Sequence, residues 1–142
     1  MTDGLLPELV RRESRTFLQY TRESYPWARG PGETQLRESI FRMADAEAEQ
    51  VTRLGRMLQK RHIPLPGLGA YPSVFTNFNF LDTQSLVPKL LAAQRRSLTE
   101  LERDLAAVTD DEFRATLESY RDLKRRHLDE LDSLSARAKQ PA

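Results

Sequence analysis

Cysteine is absent from the 142 residues, which removes disulfides, zinc ribbons and thiol catalysis from consideration. No run approaches the roughly 18 apolar residues of a membrane span, and the opening MTDGLLPELVRRE lacks a signal-peptide core. An excess of one charge is missing too: 22 Lys and Arg stand against 21 Asp and Glu, a net of +1. The basic residues are spread over every helical segment. Doublets such as Arg11 with Arg12, or Arg125 with Arg126, therefore read as solvated helix faces rather than phosphate grips. These features predict a soluble, cytoplasmic protein with no nucleic acid and no membrane as partner. The length is that of one domain with a real core.

What the chain does have is helical periodicity. A first helix is predicted over 6–23, with Leu6, Val10, Phe17 and Tyr20 on one face, ending before Pro26 and RGPG. A second is predicted over 34–61, closed by IPLPGLG. His62, beside Lys60 and Arg61, reads as part of its C-terminal cap rather than as a ligand. A third begins near Leu86, with Asp82, Thr83 or Ser85 as caps and Pro88 in its first turn. A fourth starts at TDDE, where Thr109 and Glu112 have capping-box spacing.

Connection lengths then suggest a topology. Short loops join helices 1 and 2, and helices 3 and 4, so each pair should form an antiparallel hairpin. The segment 63–85 is long enough to run the length of a bundle of roughly 30–40 Å. It carries Tyr71, Phe75, Phe78 and Phe80. These aromatics predict a belt packed on the bundle, with a ligand-binding strip over 71–80 as the alternative.

Each apolar stripe contains a polar misfit. Glu13 lies between Val10 and Phe17, Glu47 between Ala44 and Val51, and Gln94 between Leu91 and Leu98. Gln50 follows Glu47 by three residues, and His127 follows Lys124 by three, which puts each pair on one helix face. A weak internal repeat overlays LVRRESRTF on LLAAQRRSL and IFRMADAEAEQVTRL on LESYRDLKRRHLDEL. It matches Glu13 with Gln94, Glu47 with Lys124 and Gln50 with His127, and predicts an approximate two-fold axis along the bundle. All the misfits should meet at one level.

With that order and spacing the chain resembles the ferritin-like superfamily, the group of ferritin, bacterioferritin and rubrerythrin. The resemblance implies an all-α, four-helix bundle of two antiparallel hairpins joined by a long crossover. The family's ligands are Glu from helix 1, Glu-x-x-His from helix 2, Glu from helix 3 and Glu-x-x-His from helix 4. Glu13, Glu47 and His127 match three of these positions and are the candidate metal ligands. Gln50 stands for a His, while Gln94 and Lys124 each stand for a Glu. Tyr20 resembles the tyrosine found beside the family's metal site.

A di-iron centre offsets two divalent cations with bridging carboxylates, and Lys124 would replace one bridge with an ammonium. The resemblance therefore implies a degenerate site, in which a Glu, Lys, His and Gln network takes the metal's place. On that reading no cofactor is bound, and the role is structural or interactive rather than enzymatic. The alternative is a residual one-metal site for Fe, Mn or Zn, with oxidase or iron-storage activity. A more remote one is an apolar-ligand carrier using a pocket under the crossover. A homodimer or larger assembly would fit the family's habit, with exposed Trp27 or the crossover as contact, and the protein partner is left open.

Overall fold

The computed structural model describes residues 4–138, and side chains through 136. It is all-α. The helices are α1 (Leu5–Ser14), α2 (Phe17–Ser24), α3 (Pro31–Lys60), α4 (Thr83–Ala107) and α5 (Asp111–Ala138). A 3₁₀ helix, Ser73–Phe78, lies in the crossover. Among the described residues there is no strand, only an isolated bridge between Trp27 and Asp82, and no helix is long and apolar enough to cross a membrane.

The first predicted helix is in fact two. Thr16 turns extended (φ −69°, ψ 161°), and its hydroxyl accepts from the backbone N–H of Gln19 at 3.3 Å. Just before it, the Ser14 hydroxyl donates back to the Val10 carbonyl at 2.7 Å. Ser and Thr side chains compete with the helix for backbone groups, so this pair interrupts a face whose apolar rhythm continues across the break. The second helix ends as its composition suggests, but through backbone geometry. His62 sits at φ 59°, its N–H bonds to the Gln59 carbonyl at 3.0 Å, and the Ile63 N–H reaches Leu58 O at 2.9 Å. That is a Schellman closure with a histidine in the usual glycine position.

Two further termini differ in part from expectation. The helix after the crossover begins at Thr83 rather than near Leu86, while Asp82, one of the three candidate caps, does cap it by accepting from Ser85 N–H at 2.8 Å. Pro88 consequently falls in the second turn, where it removes one intrahelical bond. At α5 the cap is Asp110, not Thr109: Asp110 Oδ1 accepts from Phe113 N–H at 3.1 Å. Arg61 at the end of α3 pairs with both Asp110 and Glu112, which recruits that glutamate away from a capping box. Asp110→Ala should therefore lower the thermal midpoint by a few degrees, whereas Thr109→Ala should leave it unchanged in the same melting experiment.

Two apolar clusters set the helix directions. One joins Leu6, Leu9 and Val10 of α1 to Val51, Leu54 and Leu58 of α3, Leu101 and Leu105 of α4, and Phe113 and Leu117 of α5. The other joins Phe17 and Leu18 of α2 to Leu36 and Ile40 of α3, Leu86 and Leu90 of α4, and Leu131 of α5. The early residues of α1 thus meet the late residues of α3 and α4 and the early residues of α5. So α1–α2 and α5 run one way, and α3 and α4 run the other. The long link joins the two helices that run in the same direction.

The crossover packs its aromatics unevenly. Phe75 and Phe78 meet Phe17 tilted and edge-on, with ring centroids 5.1 and 5.5 Å away, and Tyr71 meets Tyr20 at 5.3 Å. Phe80, expected in the belt, is instead 95% exposed. Trp27 is exposed as anticipated, while its carbonyl is held by Thr83 through both N–H (2.7 Å) and hydroxyl (2.8 Å).

Candidate functional site

Between the two apolar clusters lies a polar layer. Glu13 occupies it from α1, Glu47 from α3, Gln94 from α4, and Lys124 and His127 from α5, and all five are buried. Each is flanked along its own helix by members of both clusters: Val10 and Phe17 around Glu13, Ala44 and Val51 around Glu47. The spacing that made these residues misfits in a stripe is what brings them to one level.

Lys124 is the hub. Its Nζ lies 2.9 Å from Glu13 Oε1 and 2.9 Å from Glu47 Oε1. The other oxygen of Glu47 accepts from Gln94 Nε2 at 3.0 Å and faces His127 Nδ1 at 2.7 Å. An ionised carboxylate can only accept, so Nδ1 is the donor in this contact. Glu13 Oε1 also accepts from the Tyr120 hydroxyl at 2.8 Å, and Ser97 Oγ lies 3.1 Å from both of its oxygens. Arg12 Nε reaches Glu13 Oε2 at 3.2 Å. Every carboxylate oxygen in the layer thus has a donor, as burial of charge requires.

The electrostatics agree with the contacts. Burial by itself would push the Lys124 ammonium down, but Glu13 and Glu47 together hold it above its ordinary value. Burial would raise the Glu47 carboxyl, yet the Lys124 charge and the His127 bond keep it below the usual range. The Tyr120 phenol is driven well above its ordinary value, by burial first and then by the two carboxylates. The lysine therefore stays an ammonium with no lone pair to attack, Glu47 stays ionised, and the phenol stays protonated. Glu13, Glu47 and Lys124 are each only 1% exposed, so their charges act on one another rather than on solvent.

Not every predicted member joins. Gln50 is half-buried three residues beyond Glu47, and its Oε1 is buried with no hydrogen-bond partner rather than bonded into the layer. Tyr20 gives the layer no hydrogen bond: α2 follows the Thr16 break, and the Tyr20 hydroxyl donates to Asn79 in the crossover. The tyrosine that does touch a layer carboxylate is Tyr120, from α5. It lies four residues before Lys124 and so shares its face, as Ser97 shares that of Gln94 three residues on; that spacing was the available signal for both. Arg12, read as one of a solvated doublet, is a half-buried partner of Glu13. It also pairs with Glu100 at 3.3 Å and Asp104 at 2.8 Å.

The donor set does not fit a metal centre. Among the described residues, no group of three or more His, Cys, Asp and Glu side chains is arranged to hold an ion. Carboxylate oxygens bind transition metals at about 2.0–2.2 Å, and the space between Glu13 Oε1 and Glu47 Oε1 is taken by the ammonium that both contact. Compared with known proteins, the chain matches no family model, no curated relative and no solved structure.

Proposed function

We propose that this chain is a ferritin-like four-helix bundle, with α1 and α2 together as its first helix, whose di-iron site has become an ion network. Its role is structural or interactive rather than catalytic. The observation that carries the reading is the Lys124 ammonium, 2.9 Å from a carboxylate oxygen of both Glu13 and Glu47. It supplies positive charge between two helices where the family would use metal. The helix directions support the fold half of the proposal. A long link between two helices of the same direction is what separates the crossover bundle from the up-down-up-down kind.

The test is metal dependence. Protein purified without chelator should contain far less than one Fe, Mn or Zn per chain. Its thermal midpoint should not move when ferrous iron or manganese is added. Stoichiometric metal, or a midpoint raised by it, would transfer Glu13, Glu47 and His127 to the one-metal reading.

A further inference from the structure

A separate cleft of about 520 Å³ lies between α1–α2 and α3, roofed by the start of the crossover. That volume suits a small organic ligand. Val10 and Val51 form apolar wall, while Leu65 and Leu68, both partly open to solvent, form the roof. The depth at its centre comes from Gly55. A Cβ there would meet only Leu65 Cδ1, at 3.7 Å, so the groove persists because α3 carries no side chain at that point.

The unpaired charge lining the cleft is positive. Of its two carboxylates, Glu13 is paired with Lys124 in the buried layer, and the neutral Tyr71 hydroxyl that meets Glu23 leaves its charge in place, offset in number by Arg15. Arg15 is engaged with the Gly69 carbonyl at 2.9 Å and lies over the Tyr71 ring. Arg56 is different: it lines the cleft and has no ion pair or hydrogen bond among the described residues. Arg53 and Lys60, on the same helix and bordering an adjoining hollow with Arg56, are likewise without a carboxylate partner. Arg56 inside the cleft, with Arg53 and Lys60 beside a hollow whose one carboxylate, Glu112, is paired with Arg61, raises the local potential for an anion and disfavours a cation.

We propose that this cleft binds a small amphiphilic anion, a carboxylate or sulfonate on an apolar body. Its charged group pairs with Arg56, and its body lies over Gly55 between Val51 and the Leu65–Leu68 roof. This goes beyond the ion-network reading: it uses the Lys124–Glu13 pair only to account for Glu13's charge, and none of the ligand contacts uses Lys124 or Glu47.

The probe is anilinonaphthalene sulfonate, titrated by fluorescence at neutral pH, with octanoate and octylammonium as competitors. Binding should saturate at one probe per chain and be displaced by octanoate but not by octylammonium. Arg56→Gln should weaken probe and octanoate roughly tenfold, the scale of a lost charge-assisted hydrogen bond. Arg126→Gln, which alters a cation outside the cleft, should leave both unchanged. Gly55→Leu should abolish binding by filling the groove, while helix content and thermal midpoint hold or rise, because leucine favours helix over glycine. The proposal is overturned by absence of saturable binding, by equal displacement with octylammonium, or by affinity that neither cleft variant changes.

Discussion

Lys124→Met should cost about 3–5 kcal/mol of folding stability at neutral pH, the loss that follows when one partner of a buried ion pair is removed. Domains of this kind have only about 5–15 kcal/mol to lose. Methionine keeps much of the lysine stem's volume, so packing changes little and the loss is electrostatic. Glu13 and Glu47 would keep Tyr120, Ser97, Arg12, Gln94 and His127 as donors but lose the ammonium common to both. The pH dependence separates this from a packing defect. In the parent, the raised Lys124 value contributes stability that is present below its ordinary 10.5 and lost as pH rises through the folded value. The lowered Glu47 value contributes stability present above its ordinary 4.5 and lost as pH falls through the folded value. In the variant, acidification protonates carboxylates that have lost their counter-charge and so relieves the burial penalty. Urea unfolding of both proteins should therefore show their stability gap shrinking from pH 7 to pH 5. A gap below about 1 kcal/mol, or one indifferent to pH, would mean the ammonium is not what sustains the two acids.

The second large effect concerns the origin of the layer. The triple variant Gln50→His, Gln94→Glu, Lys124→Glu would hold four carboxylates and two imidazoles in the helix order of a di-iron bundle. Without metal it should lose at least as much stability as Lys124→Met, because clustered carboxylates repel one another and only Arg12, on Glu13, remains to offset them. Ferrous iron or manganese at about a hundred times its dissociation constant should return about 2.7 kcal/mol, or roughly 10 °C in thermal midpoint. The parent should show no such return. Thermal melts of both proteins with and without metal, together with metal content, make the measurement. Two metals per variant chain would support descent from a metal site. Equal indifference in parent and variant would mean these side chains do not retain a ligand geometry.

Much of this layer is legible in the sequence because helix periodicity is geometric. A polar residue at an apolar position of a 3.6-residue repeat has to face inward, and Glu13, Glu47, Gln94, Lys124 and His127 do. Periodicity says nothing, however, about what lies within 3 Å across a helix interface. It therefore could not choose between Tyr20 and Tyr120, recruit Ser97 and Arg12, or foresee that Gln50 would leave its oxygen unbonded. It also ran straight through the break at Thr16, since the apolar rhythm from Val10 to Phe17 survives a kink that the Ser14 and Thr16 hydroxyls create locally.

By itself, then, the sequence determined that the chain is helical, which faces turn inward, and that a long aromatic link must join two long helices. Those properties follow from local spacing and chain length. Only tertiary structure decided the isolation of Phe80 from the belt, the choice of Tyr120 over Tyr20 beside the layer, and the equal 2.9 Å contact of one ammonium with both carboxylates. Each of these depends on distances between residues far apart in the chain, where a shift of 1–2 Å separates an ion pair from an unpaired buried charge.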